Sequence, residues 1–119
     1  MNNWFYGYLP AYKSNFAKIT ERVKQSDVLV TDGTHRIVGL MWDKNWDKSP
    51  IISLICIRSE VAFAKKVAFE NNIKIITAVK LSASLFHKYT AGECIEEEHY
   101  RPVAKIYAKL PQFRRSRKV

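Results

Sequence analysis

The residues best able to do covalent chemistry stand together at Asp32-Gly33-Thr34-His35. Aspartate followed by glycine is a reactive pair. The glycine nitrogen, unshielded by a side chain, can attack the Asp32 carboxyl and close a succinimide, which reopens as isoaspartate with the chain unbroken. Elsewhere the reactive types are scattered. His87 and His99 fall on separate helices without the spacing a metal ion demands. Cys94 follows Glu93 but has no partner at nucleophilic spacing. Cys56 and Cys94 form neither a C-x-x-C pair nor a disulfide framework, so both read as free thiols of a reducing compartment. Asp27, Asp32, Asp43 and Asp47 are loop or strand-end acids; a paired acid–base role is open to them, and solvation is the simpler reading. No ligand cluster or phosphate-cradling glycine loop occurs, so neither metal nor organic cofactor is expected.

The elements that must position the Asp32 turn follow from periodicity. Asp27–Thr31 and His35–Trp42 are β-branched runs on either side of Asp32-Gly33, which predicts a tight hairpin. Before them, Ser14 can cap a helix with Phe16, Ile19 and Val23 on one face, while residues 1–13, rich in aromatics around Gly7 and Pro10, read as an irregular lead-in. After Pro50, the continuously apolar Ile51–Ile57 predicts an interior strand covered on both faces. Ser59 and Glu60 open a helix, with Ser59 as its cap and Val61, Ala64, Ala68 and Phe69 at helical spacing, which ends at Asn71-Asn72. A strand at Ile73–Thr77, a short helix around Leu81, Leu85 and Phe86, and a last helix carrying Val103, Ile106, Tyr107 and Leu110 complete the order. Pro102 is tolerated only in the first turn of that helix, which places its start near Arg101. The crossover from Ile51–Ile57 to Ile73–Thr77 predicts parallel strands and an α/β fold, a small mixed sheet of about four strands flanked by about four helices.

At 119 residues with 47% hydrophobic content the chain makes one domain with a core, and disorder is excluded as its general state. No run approaches the roughly 18–20 apolar residues of a membrane span, and no secretory leader is recognisable. Twenty Lys and Arg against 11 Asp and Glu give a net charge of +9, which favours acidic partners: nucleic acid, anionic lipid or acidic protein. The basic residues 114–118 read as a frayed tail. No reading helix, aromatic platform or zinc motif points to nucleic acid. The aromatic lead-in from Trp4 to Tyr12 either lies at a membrane interface or covers the sheet, the second being the simpler.

Taken in order, the blocks Ser26–Thr31, Thr34-His35, the strand to Trp42, the Pro50 strand, Val61–Asn72 with Ile73–Ile76, Ser84-Leu85-Phe86, Ala91-Gly92-Glu93, His99-Tyr100 and Val103–Ile106 resemble the cytoplasmic domain of the type III secretion export-switch proteins, the family shared by flagellar export machines and injectisomes. The resemblance runs from about residue 26 to about residue 110. It implies a connector helix within residues 1–25, the switch domain at 26–110 and a basic tail at 111–119. It also implies a place at the inner face of the bacterial inner membrane, and as partners the export-gate components, export substrates and their chaperones, and a ruler protein, with peripheral contact to the anionic membrane and no nucleic acid.

The family's chemistry resides in an Asn-Pro-Thr-His turn. The asparagine nitrogen attacks its own backbone carbonyl, closes a succinimide and expels the proline nitrogen, and the cut moves the export gate from early to late substrates. In this chain both departures fall on that bond. Asp32 offers oxygens in place of the amide nitrogen and would have to pass through an anhydride, while Gly33 frees the backbone that proline fixes. Self-cleavage is therefore expected to be absent or very slow. The resemblance makes His35 a base or a stabiliser of developing charge; an exposed histidine opening a strand is the other reading, and both stay open. The expected function is a substrate-specificity switch component that binds export substrates or the ruler protein. A small basic nucleic-acid- or anion-binding protein is the alternative.

Overall fold

The computed structural model describes residues 11–45 and 47–113, so the lead-in before Ala11 and the basic tail from residue 114 lie outside the described residues. In chain order the elements are α1 (Ala11–Gln25), β1 (Val28–Thr31), β2 (Arg36–Met41), β3 (Ile51–Ile57), α2 (Ser59–Glu70), β4 (Lys74–Thr77), α3 (Val79–Lys88), a 3-10 turn (Glu97–His99) and α4 (Tyr100–Ala108). The sheet order is β3-β2-β1-β4. β1 pairs antiparallel with β2 and parallel with β4, and β2 pairs antiparallel with β3.

Alternation along the strands sends side chains into two cores, one on each face. On one face Leu29, Ile37, Leu54 and Cys56 meet Ile19 and Val23 of α1 and Val61, Ala64, Val67 and Ala68 of α2. On the other, Val28, Val30, Val38, Leu40, Ile52 and Ile76 meet Leu85 of α3 and Val103, Ile106 and Tyr107 of α4. β1 lies between two partners and is buried along its whole length, which is why Val28-Leu29-Val30-Thr31 carries no alternation of apolar and polar residues. Each large apolar side chain so enclosed contributes about 1.5–3 kcal/mol.

Gly39 in β2 is required by close approach. A Cβ there would strike the Leu54 side chain and the Ser53 hydroxyl, and Ser53 Oγ lies 2.6 Å from Ser26 Oγ. The register shifts between Gly39 and Leu40, so Ser53 has no counterpart on β2.

Several expectations need correction. β3 is an edge strand, not an interior one. Its continuous hydrophobicity reports two covered faces and says nothing of hydrogen-bonding neighbours. β3 and β4 do run in the same direction, but β2 and β1 stand between them. The β1–β2 connection is longer than a two-residue hairpin, and His35 belongs to it rather than to β2. α1 begins at Ala11, so Ser14 sits inside it rather than capping it, because Ala11, Tyr12 and Lys13 contain no helix breaker. Ser59 makes no side-chain cap, and α2 starts instead behind Arg58 at φ 56°, with the Glu60 carboxylate reaching back to the Ile57 N–H at 3.1 Å. Phe69, expected on the buried face of α2, is 85% exposed, and Val67 takes the position between Ala64 and Ala68. Leu110 is fully buried, though just beyond the end of α4. α4 opens at Tyr100 with Pro102 in its first turn, where no intrahelical N–H is needed.

Candidate functional site: the Asp32 turn and an apolar cavity

Thr31, the last residue of β1, starts the turn. Its hydroxyl donates to the Arg36 carbonyl at 2.7 Å and accepts the Gly33 N–H at 3.0 Å, closing the loop across its base. Gly33 holds φ at +114°, a region that side chains avoid, and nothing stands where a Cβ would go, so the demand for glycine is conformational. Asp32 then organises the loop: its Oδ1 accepts the backbone N–H groups of Thr34, His35 and Arg36 at 3.1, 2.8 and 3.1 Å. Its Oδ2 lies 3.6 Å from His35 Nδ1 and 3.8 Å from Arg36 Nε. Partial desolvation pushes the carboxyl upward, but the amides of His35, Arg36 and Thr34 together with the His35 imidazole outweigh it and hold Asp32 below the usual carboxylate range.

The four residues singled out in the sequence are thus brought together, in an arrangement that stabilises a carboxylate. Of the two carboxylate oxygens, Oδ1 is occupied by three amides and Oδ2 faces the His35 and Arg36 side chains. The Gly33 nitrogen, the alternative nucleophile, is tied to Thr31. His35 is 82% exposed, its Nδ1 3.0 Å from the Thr34 hydroxyl, which favours the exposed-histidine reading. A proline at 33 would need φ near −65° and would lose the bond to Thr31, so this turn would have to be rebuilt to accept one. Sequence reasoning missed Lys65, whose Nζ donates to the Gly33 carbonyl from α2. Nothing local signals it, because the contact spans the crossover. Arg36, pinned with its guanidinium 5.0 Å above the Phe86 ring, was missed for the same reason.

The remaining candidates resolve into structural roles. Asp27 is not a solvated acid. Its Oδ2 accepts the Tyr107 O–H and the Trp42 N–H, each at 2.8 Å, so it joins β1 to the end of β2 and to α4. Burial raises the Asp27 carboxyl above the ordinary range, opposed by those two donors, and burial beside Asp27 pushes the Tyr107 hydroxyl upward as well. Asp43 and Asp47 bond within their own loop, the Asp47 N–H donating to the Asp43 carbonyl at 2.8 Å and the Asp43 N–H to Asp47 Oδ2 at 3.1 Å. His99 is buried, with Nε2 2.8 Å from the Ser84 hydroxyl and Nδ1 2.8 Å from the Tyr89 hydroxyl, whereas His87 is exposed on α3. Cys56 is buried, and desolvation, then Glu60, pushes its thiol up to about 12, leaving it inert; Cys94 is exposed.

A second feature lies at the other end of the hairpin, about 20 Å from the turn at a strand rise of about 3.4 Å per residue. Trp42, Ser49, Pro50, Ile95, Val103 and Tyr107 line an open cavity of about 220 Å³, together with the exposed Tyr100, Ala104 and Lys48. Trp42 meets Tyr107 edge-on at 5.7 Å, and Asp27 fixes both residues from behind. The lining is almost wholly apolar, as suits a hydrophobic side chain of a partner.

A mixed four-stranded sheet of order β3-β2-β1-β4 between helices, its first two strands joined by this turn, defines a class of small α/β domain. The chain belongs to the FlhB HrpN YscU SpaS Family, whose model matches residues 13–110. The flagellar biosynthetic protein FlhB of Borreliella burgdorferi is 29% identical over 89 residues, covering 74% of this chain and 24% of that protein. The chain spans about a quarter of the length of the curated relatives it matches. The cytoplasmic domain of FlhB from Shewanella putrefaciens superposes with a TM-score of 0.76 at 24% identity, over 87% of this chain and 79% of that one, and shows the shared fold. A crystallised EscU C-terminal domain carrying an asparagine-to-aspartate mutation matches with a TM-score of 0.70 at 25% identity, over 73% of this chain and 93% of that one. No helix among the described residues is long and apolar enough to cross a membrane.

Proposed function

We propose that this chain is a docking and specificity-switch module of a bacterial type III protein export apparatus, and that it works with its Asp32–Gly33 bond intact. The observation that carries the reading is the turn. Asp32 has no side-chain nitrogen, and its Oδ1 accepts three backbone amides around a positive-φ glycine. A loop so built stays joined. It therefore holds the gate in the state that accepts early substrates, or changes state through binding of the ruler protein alone.

Docking of export substrates, their chaperones and gate components falls to the cavity between Trp42 and Tyr107, which receives an apolar side chain of the export substrate. The +9 charge suits a place beneath an anionic inner membrane, where each basic residue near the surface contributes about 1 kcal/mol. No observation favours the nucleic-acid alternative.

The test is capture of export substrates from the same cell on the immobilised, uncut chain. Retention of early substrates, lost in Ala104→Trp, where a bulky ring closes the mouth of the cavity from an exposed position, is the expected result. Equal retention by the variant would remove the cavity from the account, and no retention by either would remove docking.

A further inference from the structure

The outer edge of β3 is only partly covered. Over its first half a short segment lies alongside: the Ile52 N–H donates to the Glu93 carbonyl at 2.9 Å, the Gly92 N–H to the Ile52 carbonyl at 2.7 Å, and the Ile95 N–H to the Pro50 carbonyl at 3.0 Å. At the far end the Ile57 N–H is taken by the Glu60 carboxylate. Ile55 falls between. The pairing of Ile55 with Val38 and of Ile57 with Arg36 puts both in the same phase, so the Ile55 peptide groups face outward as those of Ile57 do. Among the described residues no strand pairs with it there.

A trough follows this edge between β3 and α1. It is made of two hollows that share Arg22, one of about 120 Å³ beside Leu54, Ile55, Lys18 and Glu60, the other of about 200 Å³ beside Ile52 and Gly92. The Glu60 carboxylate is held by the Ile57 N–H, and the first hollow sets two cations, Lys18 and Arg22, against this one acid. Lys18 and Arg22 are exposed along it. A second copy of the chain is a poor occupant, because pairing two such edges would set +9 against +9 and bring the basic margins of both troughs together.

We propose that the open edge of β3 accepts an extended, acidic segment of a partner protein as a fifth strand. Main-chain hydrogen bonds to Ile55 hold the segment, and Lys18 and Arg22 select its charge. The surface is separate from both the turn and the Trp42–Tyr107 cavity, so the proposal stands apart from the docking reading above and is tested without it.

The probe is an acetylated, amidated octapeptide alternating glutamate with valine and threonine, compared with its lysine counterpart. Hydrogen exchange at the Ile55 amide is followed by NMR. The acidic peptide is expected to slow that exchange at least about tenfold at saturation, and the lysine peptide to leave it unchanged. Ile55→Pro should abolish binding while keeping the fold, since proline is accepted on an edge where the N–H faces out. Lys18→Glu with Arg22→Glu, both at exposed positions, should weaken binding at least about tenfold and carries the test if the proline variant does not fold. Unchanged exchange with the acidic peptide, equal slowing by both peptides, binding that survives the charge reversal, or Ile55 protection that appears on self-association would each overturn the proposal.

Discussion

Asp32 and Asp27 sit at opposite ends of the first hairpin and are pushed in opposite directions, which gives the protein two acids with opposite pH signatures. Asp32 is held below its ordinary value, so its contribution to stability is present above about pH 4 and is lost as pH falls through its folded value. Asp27 is raised, so its contribution is complete below the ordinary carboxylate value and is lost as pH rises through the folded one. Thermal unfolding followed between about pH 2 and 7 should therefore lose its acid-side decline in part in Asp32→Asn. The same measurement should show Asp27→Asn at least as stable as the parent at neutral pH, because an amide oxygen still accepts from Tyr107 and Trp42 without a half-buried charge. Asp27→Ala, which strands both donors, should lose about 2–3 kcal/mol. If the alanine and asparagine variants behaved alike, Asp27 would not be the acceptor described.

Glycine 33 allows a sharper test of the same turn. Gly33→Ala meets no atom yet must adopt φ +114°, and should cost about 1–3 kcal/mol in chemical denaturation, all of it backbone strain. A neutral result would mean that the turn relaxes freely. Isoaspartate formation should likewise be slower in the folded protein than in the urea-unfolded chain, because folding ties the Gly33 N–H to Thr31 and keeps the Asp32 carboxyl ionised. The Asp-Gly liability was legible from the sequence. Its restraint was not, since it depends on Thr31 and Lys65 from two other elements.

At the scale of elements, periodicity located every strand and α-helix among the described residues to within a few residues, because each buries one stripe or both faces and its pattern says so. Position in the sheet left no such mark. Ile51–Ile57 reads as an interior strand from its apolar run, yet it forms the margin, with helices over both faces and the Gly92–Ile95 segment against half of its edge. Asp27 was misjudged for a related reason: its acceptor role is created by Tyr107, 80 residues away. Gly39 leaves no room for a side chain between β2 and β3. Gly39→Ala should destabilise by about 1–3 kcal/mol through overpacking against Leu54 and Ser53, and Ser53→Gly in the same chain should recover part of the loss. Leu29→Ala, in the strand with a partner on each side, should cost about 2–5 kcal/mol by equilibrium unfolding.

Considered whole, the protein carries two features that meet in the first hairpin: a closed turn at one end and an apolar cavity at the other, with β1 and β2 as the rigid link between them. The family was legible from blocks spread over most of the chain, and the matched region, 13–110, reaches back into α1, whose Ile19 and Val23 belong to the core. The proposal that the chain works unbroken rests on two adjacent residues, Asp32 and Gly33, and on the bonds that hold them. The most direct measurement is the intact mass of the freshly purified protein and of the same sample after days at neutral pH and room temperature. The account predicts one species at the full-length mass throughout, in native buffer and after denaturation. Two fragments that sum to that mass plus one water, divided between Asp32 and Gly33, would contradict it.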